Sequence, residues 1–175
     1  MNTIGKTIVC CLIAALAVAV GCKSIPTADE LYATSKAVGV AAALVANQTK
    51  INDKSRNVIV EIINQVDAYV PTTNETVSVA WNKIAEKRVQ ILVDEKKIDA
   101  DQTDLILSTF KVCTKSIDYL VYRRFPAVGK DIVLVESAAH GFCEGFLSYF
   151  KPVNDAVSAG YATFDKAAYD YLSAK

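Results

Sequence analysis

One histidine and two glutamates stand at four-residue steps in the C-terminal half of the chain, and these residue types can do chemistry. They are Glu136, His140 and Glu144, and His140 is the single histidine of the protein. Residues four apart on a helix lie on one side of it, where an imidazole beside carboxylates can bind a metal ion or exchange a proton. The spacing is not the Glu-x-x-His of di-iron bundles, and no second motif completes such a site. An ordinary pairing of side chains on a helix surface is therefore favoured over a metal or acid–base site.

Other catalytic signatures are missing from the sequence. It contains no Gly-x-Ser-x-Gly, His-Glu-x-x-His or Cys-x-x-Cys motif,. The 19 basic residues are balanced by 19 acidic residues, whereas proteins that bind nucleic acid usually carry a clear basic excess. We therefore expect a protein that is not an enzyme, does not bind nucleic acid and uses no metal or organic cofactor.

The first 22 residues form a pattern of their own. Lys6 supplies a positive charge, residues 7–20 are almost all apolar, and the run closes with Ala19, Val20, Gly21 and Cys22. A helix needs about 20 apolar residues to cross a bilayer, so this shorter run is typical of a secretory signal peptide. The small residues before Cys22 resemble the lipobox of bacterial lipoproteins, although Ala19 stands where leucine is more common. An ordinary signal peptide with a chance cysteine, or an uncleaved anchor helix, are the alternatives.

The resemblance implies a lipid anchor. In that family the chain is cut between the residues that correspond to Gly21 and Cys22, a diacylglycerol is attached to the cysteine thiol, and a further acyl chain is attached to its amine. Acyl chains hold a domain on a bilayer without making it span. Lys23 is not the aspartate that resembles an inner-membrane retention signal. We therefore expect an outer-membrane protein facing the periplasm in a host with two membranes, or a cell-surface protein otherwise.

Beyond the signal, the apolar spacing is that of helices. We expect an all-α fold, a compact bundle of about six amphipathic helices, with a signal peptide at 1–21, an acylated tether at 22–27 and a single helical domain at 28–175. Thr27 and Glu30 form a capping box, and Asp99 or Asp101 can cap the fourth helix. The predicted helices run to about Ala46, from about Ser55 to Val70, from Thr73 or Asn74 to Lys96 and Lys97, from the Asp99 region to Pro126, from about Lys130 to Phe150, and from Pro152 onward.

The predicted core follows the apolar stripes of these helices. On the fifth helix the stripe comprises Ile132, Val135, Ala139, Phe142, Cys143, Phe146 and Phe150. Small residues also recur at four-residue steps, as Ser35, Gly39 and Ala43 on the first helix and as Ser137, Gly141 and Gly145 on the fifth. Such ridges permit close contact between helices, inside the bundle or with a partner helix.

Cys113 and Cys143 lie on the inner stripes of consecutive helices. Their positions are equidistant from residue 128, inside the predicted turn at 125–129, so an antiparallel hairpin would place them at the same height. Outside the cytoplasm such a pair tends to oxidise, and we expect a disulfide. The alternative is two free thiols that pack as small apolar groups.

These observations lead to a first functional hypothesis. The protein would be a lipid-anchored envelope lipoprotein whose domain is a non-enzymatic interaction or structural module, with the bilayer and an envelope protein as partners. A ligand- or metal-binding lipoprotein with a cavity between helices is an alternative that would use Glu136, His140 and Glu144. A phage- or plasmid-encoded exclusion or lysis lipoprotein is another.

Overall fold

A computed structural model describes residues 25–49, 51–69 and 75–151 of the chain. These residues form five α-helices: α1 (Ala28–Asn47), α2 (Asp53–Asp67), α3 (Val77–Asp94), α4 (Ala100–Asp118) and α5 (Ile132–Tyr149). The chain continues from α4 as a π-helical segment, Tyr119–Arg124, and a short 3-10 turn, Val128–Lys130, precedes α5.

The all-α class is therefore confirmed, since no strand occurs in these three ranges. The sixth helix predicted from Pro152 lies outside the described residues, and so do the predicted signal peptide and the lipobox. None of the described helices is both long enough and apolar enough to cross a membrane.

Side chains at the helix N-termini satisfy backbone amides, as the sequence predicts. Thr27 accepts from the Glu30 amide at 3.3 Å, and the Glu30 carboxylate accepts from the Thr27 amide at 2.9 Å. Asp99 and Gln102 form a second capping box, so Asp99 rather than Asp101 caps α4, which begins at Ala100. The remaining helices begin after caps at Asn52, Thr76 and Asp131.

The helix boundaries differ from the predicted ones where local turns intervene. Helix α2 begins at Asp53 and ends at Asp67, earlier at both ends than predicted. Regular α-helix ends at Asp118 rather than near Pro126, because the chain widens into the π-helical segment before the proline. Helix α5 begins at Ile132, since Asp131 caps its first amides and the preceding residues form the 3-10 turn.

Two pairs of helices in the bundle are antiparallel. The Ser78 amide at the start of α3 donates to the Asp118 carboxylate at the end of α4, 2.9 Å away, so these two helices are antiparallel. Arg56 in the first turn of α2 stacks on the Phe150 ring just beyond α5, at 4.3 Å. Asp67, at the other end of α2, lies near the first half of α5, so this pair is also antiparallel.

Helices α1 and α5 make the most extensive helix contact of the described residues, and they run parallel. The Ser137 hydroxyl donates to the Ala28 carbonyl at 2.7 Å, and two turns later Lys36 pairs with Glu144. The starts of α1 and α5 therefore lie at the same end of the bundle. We call this the N-terminal end and define it as residues 25–30 and 123–133.

The core lies between the five helices and is rich in aromatic side chains. Trp81, Phe110, Phe142, Phe146 and Phe150 are among its largest fully buried side chains. The predicted stripe of α5 is buried from Val135 onward. Its first member, Ile132, is 46% exposed, so that prediction was wrong for the first turn of α5, which lies at one end of the bundle.

Candidate functional site at the contact of helices α1 and α5

The small residues of α5 bring its backbone against the backbone of α1. Three residues of α5 lie opposite three carbonyl groups of α1 at one constant offset of 109 positions. The pairs are Ser137 with Ala28, Gly141 with Tyr32, and Gly145 with Lys36. A Cβ atom added at either glycine would overlap the carbonyl oxygen opposite it. The predicted small-residue ridge therefore mediates close packing inside the bundle.

Helix α1 contributes its own predicted ridge to this contact. Ser35 and Gly39 are fully or nearly fully buried, as is Ala43. A Cβ atom on Gly39 would lie 2.8 Å from the Phe146 amide nitrogen and would overlap the Phe142 carbonyl. Close helix approach of this kind depends on the absence of side chains rather than on their chemistry.

His140 lies on the flank of this contact and is held by a residue that the sequence analysis did not single out. Its Nδ1 atom is 2.9 Å from the Asp67 carboxylate on α2, and its ring lies 5.9 Å from the Tyr32 ring. The imidazole is 61% exposed. Asp67 stands at the C-terminal end of α2, where a carboxylate is unfavourable unless it has a partner. That position was the signal by which it could have been found.

The two glutamates beside His140 point to other surroundings. Glu144 pairs with Lys36 of α1 at 2.5 Å, both about 40% exposed, and Glu136 is exposed at the surface. The three side chains share one side of α5, but Glu144 pairs with a residue of α1 and His140 pairs with a residue of α2. In the part of the chain that the structure describes, no three His, Cys, Asp or Glu side chains are grouped to hold a metal ion. Glu136, His140 and Glu144 thus have separate partners or none among the described contacts, and they do not form one site.

Cys113 and Cys143 are both buried and free, so the expected disulfide is absent. The Cys113 thiol faces α1, 3.9 Å from the Ala42 carbonyl, and the Cys143 thiol faces Asp67 on α2. The expectation failed because α4 and α5 contact each other only marginally, while α1 packs against both. Helices α4 and α5 therefore do not pack as the hairpin that would place Cys113 opposite Cys143.

Both thiols are in environments that keep their protons. Burial raises the pKa of Cys113 to about 12. Burial also raises the pKa of Cys143 well above its ordinary value, and the Asp67 carboxylate adds to this by its charge and by accepting a hydrogen bond from the thiol. A thiol activated as a nucleophile needs a lowered pKa. Asp67, His140 and Cys143 therefore form a set of polar contacts that joins α2 to α5.

A buried ion pair joins α2 and α3. Arg88 Nε lies 2.5 Å from Glu61 Oε1, and each side chain is 5% exposed. Burial raises the pKa of Glu61, and the hydrogen bond and charge of Arg88 oppose that shift only in part. Sequence patterning did not single out Glu61. The signal for it was a carboxylate within the apolar run of residues 58–63.

Comparison of the chain with known protein families, with curated proteins and with solved structures finds no match. The function is therefore inferred from the residues of this chain and from their geometry.

Proposed function

We propose that the protein is a lipid-anchored envelope lipoprotein that acts as a non-enzymatic interaction module. The observation that carries this proposal is the sequence of residues 7–22, an apolar run that ends in Ala19, Val20, Gly21 and Cys22. Cleavage after Gly21 frees the Cys22 amine for acylation, and the Cys22 sulfur holds a diacylglycerol by a thioether. In a host with two membranes, Lys23 favours the outer membrane as the site of attachment.

The start of the bundle supports an anchor at this position. Pro26 is buried and Thr27 caps α1, so the folded domain begins within a few residues of Cys22. Three peptide units separate Cys22 from Ile25, which limits the distance between their Cα atoms to about 11 Å. An acyl chain on Cys22 would thus hold the bundle against the membrane surface by a very short tether.

The geometry of the chemically capable residues supports a binding role. His140, Glu144 and Arg88 each link one helix to another, which is a structural task. At the opposite end of α5 from the tether, Tyr149 is 57% exposed although its neighbour Phe150 is fully buried. Exposed tyrosines are enriched where proteins meet. We place the partner-binding surface at this distal end, facing the envelope space.

Metabolic labelling with a clickable fatty acid tests the anchor. The wild-type protein is expected to carry the label, and Cys22→Ser is expected to lose it. Cys10→Ser is the matched control, because Cys10 lies in the segment that is removed. Label that persists in the Cys22→Ser variant, or that disappears in the Cys10→Ser variant, would contradict attachment at Cys22.

Site-specific photo-crosslinking in intact cells tests the binding surface. A photoreactive residue at Tyr149 is expected to give a discrete heavier adduct with an envelope protein. The same residue at Glu136, an exposed position in the opposite half of α5, serves as the control and should give none. Monomer alone at both positions would count against a partner at the distal end.

A further inference from the structure

Three exposed aliphatic side chains lie at the N-terminal end of the bundle. Ile25 is 62% exposed, Ile132 is 46% exposed and Val133 is 60% exposed. Single exposed aliphatic residues are ordinary on protein surfaces, but these three belong to two chain segments that lie at the same end of the bundle. Val133 and Leu134 donate their amides to Asp131, so capping fixes the position of this first turn.

The register between α1 and α5 shows where this turn lies. Ser137 is level with Ala28, and Val133 precedes Ser137 by four residues, a rise of about 6 Å along the helix. In parallel helices, Val133 therefore reaches the level of the chain that precedes Ala28. The first turn of α5 extends past the first turn of α1, at the end of the bundle where α1 begins.

We infer that the N-terminal end of the bundle rests on the lipid bilayer, with Ile25, Ile132 and Val133 in contact with the boundary between headgroups and acyl chains. This inference rests on the proposed lipidation of Cys22. The length of the tether selects the bilayer as the occupant. Since Cys22 lies within about 11 Å of Ile25, a bundle anchored there holds this end at the membrane surface.

The charges at this end indicate which lipids are needed. Arg123, Arg124 and Lys130 are exposed, and so are Asp29 and Asp131. Glu30 is held by its capping bonds to Thr27, which lower its pKa. The two signs are nearly balanced, so the apolar contact does not depend on anionic lipid. Vesicles of zwitterionic phosphatidylcholine are expected to suffice.

The contact would also orient the molecule. Helix α5 has 18 residues, which gives it a length of about 27 Å. With its first turn at the bilayer, Tyr149 is held at the far side of the bundle, away from the lipid. One end of α5 would thus contact the membrane, and the other end would present the partner-binding surface.

Spin labels at the two ends of α5 test the inference. Full-length Val133→Cys and Tyr149→Cys variants, purified from membranes and labelled with a nitroxide, are placed in phosphatidylcholine vesicles. Both positions are similarly exposed, at 60% and 57%. The measured quantity is the ratio of the collision rate with oxygen to the collision rate with a water-soluble nickel complex. We expect this ratio to be several-fold higher for the label at position 133 than for the label at position 149. The label at 149 should behave as it does in water.

Intact mass of the same samples separates failure of this inference from failure of the anchor. An acylated Cys22 with an aqueous label at 133 would overturn the membrane contact and leave the anchor in place. An unacylated chain with the label in lipid would refute the anchor and keep the contact. An unacylated chain with an aqueous label would refute both. Spin–spin broadening between labels at 133 would show that this end contacts a second copy of the chain. Shielding of the label from the nickel complex only when envelope proteins are present would show that it contacts another protein. Either result would overturn the inference.

Discussion

Gly145 lies so close to Lys36 that a Cβ atom at Gly145 would overlap the Lys36 carbonyl oxygen. The same relationship recurs one turn earlier, between Gly141 and Tyr32. Parallel helices in such register leave no room for a side chain between their backbones. The α1–α5 contact is therefore a rigid element that joins the start of the domain to its last described helix.

Gly145→Ala should destabilise the protein, although the same change in an open helix stabilises it. Alanine favours a helix interior over glycine by about 1 kcal/mol, but the added methyl group would force the two backbones apart at a cost of about 1–3 kcal/mol. The net sign is expected to be a loss. Urea unfolding followed by circular dichroism measures it.

Glu136→Ala on the same helix is the control for this change. Its side chain is exposed, so stability should stay within about 0.5 kcal/mol of wild type. A Gly145→Ala variant that is as stable as wild type, or more stable, would show that α1 and α5 are not in backbone contact.

Arg88→Met should destabilise the protein by an amount that grows with pH. Removing one member of a buried ion pair costs about 3–5 kcal/mol when the other remains charged. The pKa of Glu61 is already raised by burial, and loss of Arg88 raises it further. With a raised folded-state pKa, stability is retained below the ordinary carboxyl range and lost as pH rises through the folded pKa.

Unfolding curves of Arg88→Met at pH 5 and pH 8 check this sign. The penalty relative to wild type should be larger at pH 8, where Glu61 would have to ionise without a partner. The double variant Glu61→Leu with Arg88→Met should recover most of the stability, because no charge is then buried. An equal penalty at both pH values would contradict the buried pairing.

Cys113 and Cys143 should resist alkylation in the folded protein and react after unfolding without any reductant. Both are buried and free, and burial raises the pKa of Cys113 to about 12, so neither offers an accessible thiolate. The exposed thiol of Tyr149→Cys is the positive control and should react at once. Thiols that react only after reduction would reveal a disulfide and contradict this arrangement.

His140→Ala should lower stability by no more than about 1 kcal/mol, the range of exposed ion pairs. The imidazole is 61% exposed and its polar contact is with Asp67 alone among the described hydrogen bonds. Labelling by fatty acid and crosslinking from Tyr149 should be unchanged, because His140 serves to hold α2 on α5. Loss of either signal in a folded His140→Ala variant would give this residue a functional role.

Much of the fold follows from sequence periodicity and caps. The buried faces of α2 and α4, the capping box of Thr27 with Glu30 and the cap at Asp99 are local features, and local rules predict them. The small-residue ridges also predicted a close helix contact. Their partner was not predictable, because the parallel pairing of the first and fifth helices depends on how all five helices assemble.

The candidate site was less predictable because it depends on contacts distant in sequence. His140 pairs with Asp67, 73 positions away, and no local spacing encodes that pairing. The disulfide expectation assumed that α4 and α5 form a hairpin, whereas α1 contacts both of them. Glu61 was missed because an isolated carboxylate in an apolar run usually indicates an exposed position rather than a buried pair.

Lipid attachment at Cys22 is the central claim, and intact-mass spectrometry of the protein purified from membranes tests it most directly. The account predicts a chain that begins at Cys22, without residues 1–21, and that carries the additional mass of a diacylglycerol and an acyl chain. Fragmentation should locate that mass on Cys22. An unprocessed chain of 175 residues without acyl mass would contradict the anchor and the envelope function proposed with it.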